Sequence, residues 1–246
     1  MKRIFMSIFL ISYCGISAQN ATNKGRNIIK TNVTAFAFKN FQLNYERVLS
    51  KTFSLSASYG VIPNGKLPYG SLLPNDNDVN LKELQLGGNN ATLEARFYLG
   101  KGYGQGFYLA PYYRYSKYKI SNFNKTVELE LNGVTYDEVD VNFSGNSTAH
   151  SGGLLIGAQW LLGKKDNIVL DAWFLGAHYG KSKGNLDGIT DRTLSADEQA
   201  QTQKELDDLD IPLVDYKATV NANGANIKLD GPWAGVRAGL SLGYRF

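Results

Sequence analysis

Few side chains in this chain could carry out chemistry, and their spacing restricts what that chemistry can be. Cys14 is the sole cysteine, and His150 and His178 are the only histidines. A hydrolase built on a nucleophile and a histidine base needs the two within hydrogen-bond reach. His150 adjoins Ser151, but neighbours on a strand point to opposite faces. His178 lies between Ala177 and Tyr179, so its nucleophile would have to come from another strand. For a metal, a two-residue turn at Asn132-Gly133 sets Glu128 opposite Asp137, an arrangement that is unfavourable unless a cation sits between them. Asp187 and Asp191, around Gly188, supply too few ligands. What remains is three acids, Glu46, Glu94 and Asp171, and three arginines, Arg96, Arg114 and Arg237. Their chemistry is mutual ion pairing, which either passes ions or protons or seals a space.

The elements that must position them are strands. The C-terminal segment sets Ala234, Val236, Ala238, Leu240, Leu242, Tyr244 and Phe246 on one face and Gly235, Arg237, Gly239, Ser241, Gly243 and Arg245 on the other. A period of two over that length is a strand with one apolar wall. Seven further segments repeat the pattern: Ile29 to Ala37, Phe41 to Glu46, Phe53 to Val61, Asn90 to Leu99, Phe107 to Ser116, Gly153 to Leu162, and Asn167 to Gly180. The last is apolar on both faces except for Asp171. Ten residues of strand tilted near 45° span roughly 24 Å, the height of the apolar band of membrane barrels. The sequence therefore predicts an all-β fold, an eight-stranded antiparallel transmembrane β-barrel with long extracellular loops and one short loop helix. All six charges fall on the polar face, in a lumen that eight strands leave just wide enough to fill with side chains.

Turns and loops agree with this count. Ser50-Lys51, Gly100 to Gly106 and Gly163 to Asp166 read as short periplasmic turns. Pro63 to Asn89, Lys119 to His150 and Lys181 to Gly231 read as long outer loops, and only the connection at Lys39-Asn40 is tight on that side. Thr126 to Leu131 and Val134 to Phe143 flank Asn132-Gly133, a strong hairpin signal, so a ribbon is expected above the membrane. Its apolar pairs, Leu131 with Val134 and Leu129 with Tyr136, form a possible partner-docking patch, unless the acidic last loop folds over them. Ser195 and Glu198 form a capping-box pattern ahead of a helix over Ala196 to Leu209. The last loop carries ten acids against six bases, and the middle loop five against two.

At the N-terminus, Lys2 and Arg3 precede the apolar run Ile4 to Ile11 and the small-residue stretch Gly15 to Ala18. This reads as a signal peptide over residues 1–18, leaving a barrel domain over 19–246. Tyr13 before Cys14 disfavours a lipoprotein reading. Cleavage removes two cations and no acid, which takes the net charge from +4 to +2. Neither a nucleic-acid partner nor thiol chemistry is supported.

The opening Asn27-Ile28-Ile29-Lys30-Thr31-Asn32, together with Tyr45-Glu46-Arg47, Leu170-Asp171-Ala172-Trp173 and the aromatic terminus, resembles a family of small outer-membrane barrels of Bacteroidota with no assigned function. The resemblance implies a fold and an address but no reaction. Leu242, Tyr244 and Phe246 fit a terminal signal for the barrel-assembly machinery, although Ser241 and Gly239 depart from its usual pattern.

The expected role is therefore non-enzymatic. The chain reads as a closed-lumen outer-membrane barrel acting as a structural or interaction component through its loops, without cofactor or metal. Its expected partners are outer-membrane lipid, the assembly machinery, and another outer-membrane protein whose accessory subunit it would be. The alternatives are an outer-membrane lipid-modifying hydrolase and a soluble lipocalin-like carrier, which would need its apolar face inside.

Overall fold

The computed structural model describes residues 25–69, 79–80, 83–131, 134–208 and 212–246, with the side chains of 79–80 and 127–137 left out of the description. The expected signal peptide lies outside these residues. The strands are β1 (Asn27–Asn32), β2 (Phe41–Val48), β3 (Phe53–Lys66), β4 (Val79–Asn80), β5 (Gln85–Leu99), β6 (Gly106–Leu131), β7 (Val134–Leu162), β8 (Ile168–Thr190), β9 (Asp215–Asn221) and β10 (Gly224–Arg245), with one helix, α1 (Ala196–Asp208). The sheet runs β1-β2-β3-β5-β6-β7-β8-β10, and β10 pairs back onto β1, with Ile29 opposite Tyr244. Among the described residues this is a closed antiparallel ring of eight strands. Closure leaves no unpaired edge at membrane depth, which a hydrocarbon solvent requires.

The period-two pattern decides which way each wall faces. Alternate residues of β2, β3 and β5 are buried: Gln42, Asn44 and Glu46; Ser54, Ser56 and Ser58; Asn90, Thr92, Glu94 and Arg96. Their apolar neighbours Leu43, Leu55, Tyr59, Leu93 and Phe97 are exposed. Polar inside and apolar outside is the arrangement of a transmembrane barrel and the reverse of a lipocalin-like carrier. At the lower end, Ile28, Val48 and Val169 close the lumen with an apolar layer, and Leu161 packs against it. There the turns lock together: Tyr103 N–H donates to the Lys51 carbonyl at 2.6 Å. Gly102 has φ +75°, and a Cβ there would sit 2.2 Å from that same oxygen.

Four expectations about the elements change. β1 stops at Asn32, not Ala37, because Asn32 Oδ1 accepts from Thr34 Oγ1 at 2.8 Å and Ala35 N–H at 3.0 Å, turning the chain into a 3-10 helix over Thr34–Phe38. The outer connections are shorter than expected. β3, β5, β8 and β10 continue above the apolar band, where water on both faces removes the apolar signal. β8 carries an extra residue at Phe174 relative to both neighbouring strands. The bulge reverses its facing, so that Asp171 and Trp173 point inward below it and His178 above it. In the ribbon, a second bulge pairs Leu129 with Asp137 rather than Tyr136, and Glu128 with Glu138 rather than Asp137. Leu131 still faces Val134.

The capping box forms: Ser195 N–H donates to Glu198 Oε2 at 2.6 Å, and Glu198 N–H to Ser195 Oγ at 3.3 Å. Helix α1 lies against β9, where Val220 N–H donates to Gln203 Oε1 at 2.9 Å. Beneath it Leu194 joins Val139 and Val141, with Phe143 and Val220 alongside. The last loop therefore covers the base of the ribbon, beside an apolar cavity of about 160 Å³.

Candidate functional site

The lumen gathers five of the six expected charges into one network and adds a residue that the arginine count overlooked. Lys30, projecting inward from β1, spends all three ammonium protons: on Glu46 Oε2 at 2.6 Å, Gln159 Oε1 at 2.6 Å and Asp171 Oδ2 at 2.7 Å. Arg96, from β5, reaches Asp171 Oδ2 at 2.7 Å and Glu46 Oε2 at 3.2 Å through Nη1. Its Nε and Nη2 hold Glu94 Oε2 at 2.9 and 2.7 Å. The other oxygens are taken up in turn. Tyr98 and Ser54 hydroxyls both donate to Glu46 Oε1 at 2.6 Å, and the Tyr108 hydroxyl donates to Asp171 Oδ1 at 2.7 Å. Trp173 Nε1 adds a longer bond to Asp171 Oδ2 at 3.3 Å.

Arg237 caps this layer from β10. Its Nη2 lies 3.1 Å from Glu94 Oε1, and its guanidinium sits over the rings of Trp173 at 4.3 Å and Tyr112 at 4.9 Å. Three cations, Lys30, Arg96 and Arg237, meet three carboxylates, and the side chains of Lys30, Arg96, Glu46 and Asp171 are fully shielded from solvent. A buried charge is tolerated only when paired and hydrogen-bonded. Lys30, Arg96, Glu46 and Asp171 meet both conditions, while Arg237 is paired with Glu94 without an aligned hydrogen bond, and the network fills the middle of the barrel.

Arg114 is the correction to the expected set. In register it lies beside Thr92, while Glu94 lies beside Tyr112, so Arg114 stands one row above Glu94. Its Nε bonds Ser116 Oγ at 3.3 Å.

Glycines make room for the large inward side chains. A Cβ at Gly153 would fall 2.7 Å from the Tyr112 ring, at Gly157 2.5 Å from the Tyr108 hydroxyl, at Gly176 2.7 Å from Arg237 Cγ and at Gly235 2.9 Å from the His178 ring. Each of these glycines lies directly beside the large side chain in register, on the neighbouring strand. The two histidines face opposite ways. His150 faces outward, bonded to the Tyr113 hydroxyl at 2.6 Å and packed on Tyr115, whereas Ser151 is buried on the inner side. His178 faces inward and pairs with the Tyr112 hydroxyl at 3.2 Å.

The side chains of Leu129, Leu131, Val134 and Tyr136 lie outside the described residues. Leu242, Tyr244 and Phe246 lie on the exposed apolar face of β10 and just past it.

A family model described as a protein of unknown function, DUF3575, matches residues 4–185. The chain belongs to this family. No curated protein matches it. Among solved structures, the DUF3575 chain is similar to the outer membrane protease OmpT from Escherichia coli, with a TM-score of 0.42 and 11% identity over 89% of this chain and 92% of that one. It is also similar to the translocator domain of the autotransporter NalP from Neisseria meningitidis, with a TM-score of 0.37 and 13% identity over 99% and 96%.

Proposed function

We propose that this chain is an outer-membrane barrel sealed by its own ion pairs, acting through the sheet and loops above the membrane as a structural or interaction component. The observation that carries the reading is the closed Lys30–Glu46–Asp171–Arg96–Glu94–Arg237 network at the centre of the lumen, which balances its own charges and occupies the space a conducting path would need.

The exterior supports the membrane address. On β6, Phe107 to Lys117 covers about 25 Å of height at roughly 3.3 Å per residue and a barrel tilt near 40°. Outward-facing Tyr113 and Tyr115 then mark an upper aromatic girdle. In the next row Lys117 lies beside Thr148, and Thr148 beside Lys183, so cations follow the aromatics at the level of lipid headgroups. Above them, five strands, β6 to β10 without interruption, form a curved sheet roofed by α1. The interaction role rests on this platform, whose ribbon ends at Leu131 and Val134.

The test has two arms. Purified protein in planar bilayers should show no conductance above that of protein-free membrane. Gentle detergent extraction from the native membrane should yield a defined co-purifying outer-membrane protein, which is lost when Lys125 to Asp140 is trimmed while the barrel still folds. Stable single-channel steps refute the sealed lumen. A partner retained after trimming shows that the ribbon does not dock it. Altered lipid A masses in a deletion strain would favour the hydrolase alternative.

A further inference from the structure

Above the neutral network the lumen carries a charge that no described residue matches. The three carboxylates are already matched by Lys30, Arg96 and Arg237, and among the described residues no carboxylate lies within 4 Å of Arg114. Arg237, two rows below, is a neighbour of like charge, and both arginines act electrostatically on His178. The side chain of Arg237 is only 8% exposed. Apart from its ion pair with Glu94, its nitrogens make no aligned hydrogen bond within the protein.

The register shows what lies between the two arginines. Tyr112, Gly153, His178 and Gly235 form one cross-strand row, with Arg237 beside Gly176 in the row below and Arg114 beside Ser151 in the row above. From β5, Thr92 stands beside Arg114, and both it and Asn90 keep buried polar atoms without a hydrogen-bond partner. Further toward the loops, beyond Arg114, a cavity of about 260 Å³ lies between Tyr118, Ile120, Ser147 and Trp233.

We infer that the lumen beside the Tyr112–His178 pair binds a small oxyanion, a carboxylate or a phosphate-type group, held by Arg114 and Arg237. A guanidinium presents a planar fork of N–H donors that matches such a group. Unmatched positive charge in a poorly solvated lumen is stabilised by a counter-charge far more than the same charge in water would be. The Thr92 hydroxyl, beside Arg114 and without a partner of its own, is placed to bond one of its remaining oxygens. The inference needs the sealed barrel but not the interaction role of the loops.

The test uses the whole protein in detergent micelles with inorganic phosphate and sulfate as probes. The thermal midpoint is read by heat-modifiable migration at constant ionic strength, and binding by equilibrium dialysis of radiolabelled phosphate. In wild type, phosphate or sulfate should raise the midpoint by several degrees over chloride, and dialysis should saturate near one anion per chain. Arg114→Gln removes the unmatched charge, so it should raise the midpoint in chloride and abolish both the anion-dependent gain and the saturable binding. Lys183→Gln, on the outer face, should leave both intact. Identical midpoints in all three anions, an anion gain that survives Arg114→Gln, or one lost in Lys183→Gln overturns the proposal.

Discussion

Replacing Lys30 with methionine keeps the length of the side chain and deletes the one group that ties β1 to β2, β7 and β8 at once. The ammonium holds Glu46, Gln159 and Asp171 at 2.6 to 2.7 Å. Without it, three buried carboxylates face two arginines, and one negative charge is stranded where water does not reach. Removing one partner of a buried pair costs about 3–5 kcal/mol. The lower end applies here, because Arg96 still reaches both orphaned carboxylates. A chain of this size loses roughly 2–4 °C of midpoint per kcal/mol, so Lys30→Met should melt about 6–12 °C below wild type. Heat-modifiable migration in detergent measures this directly. The argument also fixes how the effects combine. Adding Asp171→Asn restores the charge balance, so the double variant should lose at least ~1 kcal/mol less than the sum of the single losses. A Lys30→Met midpoint within two degrees of wild type, or strictly additive losses, would refute the claim that charge pairing holds the lumen together.

Other perturbations test separate parts of the structure. Arg96→Ala or Arg237→Ala should lower the thermal midpoint without raising conductance in planar bilayers; a clear conductance increase would mean that the network gates a path. Gly157→Ala puts a methyl group against the Tyr108 hydroxyl and the Ala172 carbonyl, and should cost about 1–3 kcal/mol, as overpacking typically does. Gly65→Ala, where a Cβ meets nothing, should change the midpoint little. Glu198→Ala removes half of the capping box and should weaken α1 by roughly 1 kcal/mol. That loss should appear as faster amide exchange in α1, with exchange in the barrel strands unchanged.

Strand identity and facing were legible where lipid and lumen impose opposite demands on alternate residues, and β3, β5 and β6 follow the pattern residue by residue. Legibility failed where those demands stop. Above the apolar band, water bathes both faces, so the continuations of β8 and β10 looked like loop. Phe174 is legible as apolar but not as an extra residue, because a bulge is fixed by two neighbouring strands at once. The inward facing of Lys30 could be read from its alternation with Ile29 and Thr31. Its reach could not, since only ring closure brings β1 within a lysine's length of β7 and β8. Arg114 failed for a related reason: the pattern gives the face of a residue but not its height relative to residues on other strands. The residues expected to contact partners were read from a two-residue turn with uninterrupted register, which the bulge near Asp137 displaces.

The same geometry bears on whether the lumen could open. A gate needs two states within a few kcal/mol of each other, so that a ligand's differential affinity can shift the population. Clearing a path here would separate Lys30 and Arg96 from three carboxylates, and each stranded partner costs about 3–5 kcal/mol. Two such separations already approach the 5–15 kcal/mol that typically divides a folded domain from its unfolded chain. Opening the centre would therefore cost about as much as losing the fold. The upper lumen is different, since Arg114 and the Tyr118–Trp233 pair can shift without breaking any carboxylate bond of the central network. On the sealed-lumen proposal, a response at the loop end of this barrel arises above Arg237. An anion or a loop partner should accordingly alter amide exchange in the upper halves of β6, β8 and β10, and leave the strand segments around Glu46 and Arg96 unchanged.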